Sequence, residues 1–440
     1  MKRLLSTLAF ACTLFPIKAQ DTLTLEQCIR IGIENNLSLR TKRNDVMKGK
    51  HSISENRARL LPQINAVVSM SDNFNPPVSV TDGSAYGNKY NVTKTLQYNA
   101  SAGIKLQMPL YNQTLLTALD ITKMTARINR LSYDKARNDL IEQITRIYYL
   151  AQSTAEQIEI VKANIERLKE LKNITTAFFD NGMAMEVDVK RVNINLENLL
   201  VQHDNAKTML SQQLNMLKYV MDYPAGNDIT LTTVNTETVE QVEPGGLDES
   251  LPELQQLREK SELAARQQKL ISQGYLPSLT LTGNFSYSAF TDRFSNWFHS
   301  GPSNHWYNSS GLGITLNVPI FDGFEKRSKI RKAKLDTENA RIAYDDALKG
   351  LRMQYLNAAD ELTNSRRNLT KQRDNYRLAE DVYAVTTDRY REGIASMTEV
   401  LQDEMRMSEA QNNYVTAHYN YRITSLSLLK LTGRLDSLLK

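Results

Sequence analysis

The sequence predicts a mainly α chain with a small β part, in which long coiled-coil helices alternate with two pairs of strands. Three observations carry this reading. Two proline-free stretches of roughly a hundred residues hold heptad seams, four runs alternate apolar and polar residues, and the second half of the chain repeats the first.

The repeat sets the frame. Leu61-Pro62 returns as Leu276-Pro277, Gly103 to Pro109 as Gly313 to Pro319, and Asn181-Gly182-Met183-Ala184 as Glu392-Gly393-Ile394-Ala395, each roughly 210 residues later. Three different motifs in one order define two tandem helix-strand-strand-helix units, over 21–221 and 250–433. A linker at 222–249, with Pro224, Gly226, Pro244, Gly245 and Gly246 around an extended Ile229 to Val234, joins them, and a tail at 434–440 follows.

Residues 1–20 read as an export signal: Lys2 and Arg3, the apolar run Leu4 to Phe15, and the small Ala19, so the mature chain is expected to start near Asp21. Cys12 follows Ala9-Phe10-Ala11, a poor lipobox, and lipidation is not expected. Cys28 is then the sole mature cysteine, read as a buried helix residue without a disulfide partner. Shorter helices are expected from about Thr24 to Arg59 and from Leu251 to Gly274, closed by Pro62 and Pro277.

Each strand has one apolar face. The first sets Ile64, Ala66, Val68 and Met70 against Gln63, Asn65, Ser69 and Ser71; the second sets Ala100, Ala102, Ile104, Leu106 and Met108 against Asn99, Ser101, Lys105 and Gln107. The third opposes Leu279, Leu281, Phe285 and Tyr287 to Ser278, Thr280, Thr282, Asn284 and Ser286, and the fourth Leu312, Ile314, Leu316, Val318 and Ile320 to Gly313, Thr315 and Asn317. Loops are expected at Asn73 to Gln97 and Ser288 to Ser309, the second holding Phe290, Phe294, Trp297, Phe298, Trp306 and Tyr307. Strands of about ten residues cross a bilayer when tilted. No stretch after residue 20 approaches the roughly 20 apolar residues of a spanning helix, so any membrane entry is by strands. Four strands cannot close a membrane barrel, and each backbone group left unpaired at an edge in lipid costs several kcal/mol, so copies of the chain must assemble.

The helix from about Asp322 to Arg391 carries Leu348, Tyr355, Leu362, Leu369, Tyr376, Tyr383 and Tyr390 at every seventh position, with Leu351, Ala358, Ser365, Gln372, Ala379 and Thr386 between them. The first copy keeps a looser seam of Ile144, Ala151, Ile158, Ile165 and Phe179, broken by Lys172. Near 70 residues at about 1.5 Å each, such a helix is roughly 100 Å long. Gly182 and Gly393 supply the left-handed turns into return helices at Met185 to Met221 and Ser396 to Thr432. Ser396 and Glu399 form a capping-box pattern, Asp188 sits in a first turn where the helix dipole favours negative charge, and Met183, Met185 and Met397 read as helix-end packing.

Other classes fit poorly. The net charge of +5 is small, and no basic cluster is interleaved with aromatics, so no nucleic-acid partner is expected. His51, His203, His299, His305 and His418 are scattered without metal spacing, so no enzyme, cofactor or metal is expected. A secreted coiled-coil spacer would leave four one-sided strands without a purpose.

The whole set of motifs, with the opening Leu23-Thr24-Leu25-Glu26-Gln27 and Asn35-Asn36-Leu37, resembles the TolC-like outer-membrane factor, or outer membrane efflux protein, family over nearly the whole mature chain. The resemblance implies a homotrimer in the outer membrane, extending into the periplasm: a coiled-coil α-helical barrel continuous with a 12-stranded transmembrane β-barrel, four strands per protomer. It implies outer-membrane lipid around the barrel, a periplasmic adaptor (membrane fusion) protein docked on helix tips at Gly182, Gly393 and Ser396, and an inner-membrane RND or ABC pump. The channel would be a passive conduit, for drug or small-molecule efflux first and type I protein secretion second. The carboxylate six residues after each turn glycine, Asp188 or Glu399, would form an acidic constriction, and Tyr390 would belong to the contacts that hold the mouth shut. Gln402 stands where the family has a second acid and Ala395 where it has an arginine, so Arg389 or Arg391 is expected to substitute. The second copy, with Ser396 and Tyr390, is expected to be the moving gate.

Overall fold

A computed structural model describes residues 21–82, 84–87, 89–232, 243, 245–298 and 305–439. The export signal with Cys12, most of the 233–244 stretch of the linker, and His299 lie outside the described residues. The elements are β1 (Asp21–Leu23), α1 (Leu25–Asn35), α2 (Leu37–Ala58), β2 (Gln63–Asp72), β3 (Val78–Asp82), β4 (Tyr90–Lys94), β5 (Tyr98–Tyr111), α3 (Gln113–Asp180), α4 (Glu186–Met221), β6 (Ile229–Leu231), α5 (Pro252–Gln273), β7 (Ser278–Thr291), β8 (Trp306–Asn317), α6 (Glu325–Arg391) and α7 (Met397–Leu431). They form two compact units, each drawn from both repeats, and the unit boundaries fall inside α2, α3, α5 and α6. No described helix is long and apolar enough to cross a membrane.

The unit made of Asn44–Arg130 and Gln256–Tyr344 carries the predicted strands as one antiparallel sheet in the order β2-β5-β7-β8. Register aligns the apolar faces of neighbouring strands over most of the sheet. Ile64 lies opposite Leu106, Ile104 opposite Phe285 and Leu281 opposite Ile314, while Ser69 meets Ser101 and Ser286 meets Ser309 on the other side. The repeats join at β5 and β7, where a Cβ on Gly103 would lie 2.5 Å from the Phe285 carbonyl oxygen; only glycine permits that approach. β8 differs from the expected fourth strand. It starts at Trp306, paired with Ala289, and stops at Asn317, because Pro319 has no N–H for the ladder; Val318 and Ile320 fall outside it. Phe290, Trp306 and Tyr307, expected in a loop, are strand residues. The Asn73 to Gln97 loop contains a hairpin of its own, β3 with β4. At the helical side of this unit, Gly49 allows α2 to rest on Ala126, and Arg127 grips the Glu259 carboxylate at 3.1–3.2 Å.

The unit made of residues 21–43, 131–255 and 345–439 holds two hydrophobic cores. In the first, Cys28, Ile29, Ile141, Ile144, Leu217, Met221 and Leu426 are fully enclosed, each large aliphatic contributing about 2 kcal/mol. Burial pushes the Cys28 thiol up to about 12, which makes it inert as expected for a packing residue. β1 pairs in parallel with β6 beside this core. The tail forms a short 3₁₀ turn, Leu435–Leu439, with Leu435 buried in the same core. The helix expected from Thr24 to Arg59 is broken at Asn36. Its side-chain oxygen accepts the Leu39 N–H at 2.9 Å and its amide donates to the Val220 carbonyl at 2.8 Å, a side-chain capping geometry that outcompetes continued helix.

The second core lies along the long helices: Leu168 and Leu171 from α3, Val192 and Leu196 from α4, Tyr383 and Tyr390 from α6, Val400 and Met407 from α7. Every predicted seam residue of α6 from Leu348 to Tyr390 is buried or half-buried. The α3 seam slips after Ile165, passing through Leu168, Leu171, Thr175 and Phe178 rather than Lys172 and Phe179, because a straight helix drifts about 20° per heptad from a 3.5 repeat. A polar layer interrupts this core: the Asn164 amide donates to Gln411 at 2.9 Å, Arg167 donates to the Asn164 side-chain oxygen, and the Glu404 carboxylate is buried close by. Burial pushes the Glu404 carboxyl above the usual carboxylate range, with the Arg167 charge opposing.

Candidate functional site

The sequence singles out the turns after the two long helices, and both have the same backbone geometry. Gly182 and Gly393 have φ of 72° and 75°. The Gly182 N–H donates to the Phe179 carbonyl and Met183 to Phe178; the Gly393 N–H donates to Tyr390 and Ile394 to Arg389. Each is a Schellman closure, which satisfies the last carbonyls of α3 or α6 and requires the left-handed residue that glycine supplies. A Cβ at either glycine would meet nothing, so the constraint is conformational and not steric.

The return helices start differently. The Ser396 hydroxyl accepts the Glu399 N–H at 3.3 Å, and the Glu399 carboxylate accepts the Ser396 N–H at 2.8 Å, completing the predicted box. Those hydrogen bonds from Ser396 hold the exposed Glu399 carboxyl below its ordinary range. At the first tip Met185 supplies no cap; Asp188 accepts the Met185 N–H at a long 3.4 Å and is 13 % exposed, whereas Glu399 is an exposed residue. Met183 and Met185 are exposed, and only Met397 packs.

Tyr390 is buried against Phe178, ring centroids 5.5 Å apart. Burial pushes its phenol up in pKa, and the hydroxyl lacks a hydrogen bond of good geometry; the neighbouring Thr175 hydroxyl donates to the Leu171 carbonyl.

The sequence reading missed the residues that link the tips. Arg191, one turn after Asp188, contacts that carboxylate at 3.3 Å and donates to the Thr398 hydroxyl at 3.2 Å, joining α4 to the first turn of α7. Its spacing from Asp188 was the available signal. Arg391 does cross between helices, to Glu170 of α3 at 2.6 Å, while Ala395, in the place of the expected arginine, is buried in the core. Thr386 donates to Asp403 at 2.8 Å and ties α6 to α7. The Arg191 and Arg391 side chains are about half exposed, so each pair is worth at most about 1 kcal/mol after solvent screening. Such contacts rearrange at little cost.

One-sided strands in a single four-stranded sheet and capped turns closing paired long helices are the features that the resemblance to outer-membrane channels requires. The chain belongs to the outer membrane efflux protein family, whose model matches residues 29–221 and 247–434, both repeats. It is 24% identical over 406 residues to the outer membrane protein TolC of Vibrio cholerae serotype O1, covering 88% of this chain and 85% of that one. It is 20% identical over 448 residues to the alkaline protease secretion protein AprF of Pseudomonas aeruginosa, covering 99% and 90%. Among solved structures, the outer-membrane channel OprN superposes with a TM-score of 0.76 at 15% identity, covering 93% of this chain and 89% of that one, which bears out the predicted fold class. The protein is an export channel of the outer membrane.

Proposed function

We propose that the chain works as a homotrimer, a passive conduit fed by an inner-membrane RND or ABC pump through a periplasmic adaptor that docks on the tips at Gly182, Gly393 and Ser396. The observation that carries this is the sheet: β2 and β8 are open edges, and the face with Ile64, Val68, Leu312, Ile314 and Leu316 is exposed. In lipid such edges need partners, and three copies joined edge to edge give 12 strands and a closed barrel. The family description names efflux, a relative named for toluene efflux supports small-molecule cargo, and the AprF relative supports protein secretion as the second cargo class.

Asp188, Glu399 and Tyr390 form the gate in this reading. The carboxylates provide an acidic, cation-favouring constriction, and Tyr390 on Phe178 anchors α6 until the weak ties of Arg191 and Arg391 let go. Planar-bilayer recordings of the reconstituted channel test it. Asp188→Asn with Glu399→Gln is expected to lower cation selectivity and alter conductance; unchanged values for both would leave these residues as helix caps only.

A further inference from the structure

The strands of the four-stranded sheet carry two Asp, Glu, Lys, Arg or His residues, Asp72 and Lys105. Asp72 is the final residue of β2. Lys105 stands mid-strand in β5, on the face that also bears Ser69, Ser101, Thr282, Asn284 and Ser309. Its row across the sheet is Asn65, Lys105, Asn284 and Gly311, and the Asn284 side-chain oxygen leans over Gly311. The lysine is exposed, and its ammonium makes no ion pair among the described residues.

A lysine at mid-membrane facing lipid costs about 2–4 kcal/mol, so its place among hydroxyls and amides is where a barrel tolerates it. There it is an uncompensated positive charge, repeated once per copy at one height of a water-filled wall. Low-dielectric walls focus such a field on whatever passes.

We propose that Lys105 is the charge-selecting residue of the barrel, a basic ring that favours anionic solutes such as carboxylates and phosphates. It acts in series with an acidic mouth of opposite sign. This rests on the barrel reading above, and the experiment separates the two. In single-channel recordings, Lys105→Cys is expected to change conductance on exposure to a membrane-impermeant charged methanethiosulfonate, whereas Ile104→Cys, on the other face, is not; Cys28 is buried and silent. If Ile104→Cys responds instead, or neither does, the orientation of the sheet is wrong and the barrel reading falls with it.

Reversal potentials in a KCl gradient then test the charge itself, in the wild-type chain and in the Asp188→Asn, Glu399→Gln background so that the mouth does not mask the barrel. Lys105→Gln is expected to raise the cation-to-anion permeability ratio by roughly three-fold near 0.1 M salt, and Lys105→Glu by more. The difference should largely vanish near 1 M, where the screening length falls to about 3 Å. A cysteine that reports from the pore together with an unchanged ratio in both Lys105 variants and both backgrounds would overturn the proposal and leave the barrel intact.

Discussion

Single residues in the long-helix core set how the helices answer to pH. Glu404 is 4 % exposed, and one carboxylate oxygen has no hydrogen-bond partner. Because burial raises its folded pKa above the ordinary 4.5, the folded chain holds this proton more tightly than the unfolded one. Its contribution is therefore best at acid pH and is lost as pH rises from the ordinary glutamate range through the raised value. Glu404→Gln is expected to stabilise the detergent-solubilised protein by about 1 kcal/mol at pH 8, with the gain shrinking toward pH 4. Thermal melts across pH check this, and an equal or larger gain at pH 4 would contradict it. Heptads reveal that position 404 lies on a packed helix; they do not reveal that its carboxylate is buried within reach of the Arg167 charge.

At the scale of elements, the two tips show how equivalent turns acquire different starts. The glycine closures are the same, yet α7 has a full capping box and α4 has only the long Asp188 contact. Ser396→Ala should cost about 1 kcal/mol, read as faster hydrogen exchange at the first amides of α7, whereas Met185→Ala should leave α4 unchanged. Equal effects at both tips would contradict the difference in capping on which the proposal of a gate in the second copy rests. That asymmetry was legible, since Ser396-Met397-Thr398-Glu399 is a local pattern. The break at Asn36 was not, because its amide is satisfied by Val220, which lies 184 residues away.

For the whole molecule, the proposed assembly rests on the sheet. Leu312→Lys, on the apolar face of an edge strand, should cost about 2–4 kcal/mol if it meets the membrane midplane, and Thr315→Lys, on the opposite face, should be tolerated. The amount of trimer extracted from outer membranes distinguishes them, and equal recovery of both variants would contradict the assignment of faces.

The sequence by itself determined the faces of the strands, the glycine turns, the α6 seam and the tandem repeat. These follow from periods of 2 and 3.5 residues and from the backbone limits of proline and glycine, all readable within a few residues. Only tertiary structure decided the strand order, the slip of the α3 seam onto Phe178, the burial of Tyr390 beside it, and Arg191 as the link to Thr398. Each depends on which side chains meet across roughly two hundred residues of chain, and small drifts in helix phase settle that in ways no local period records.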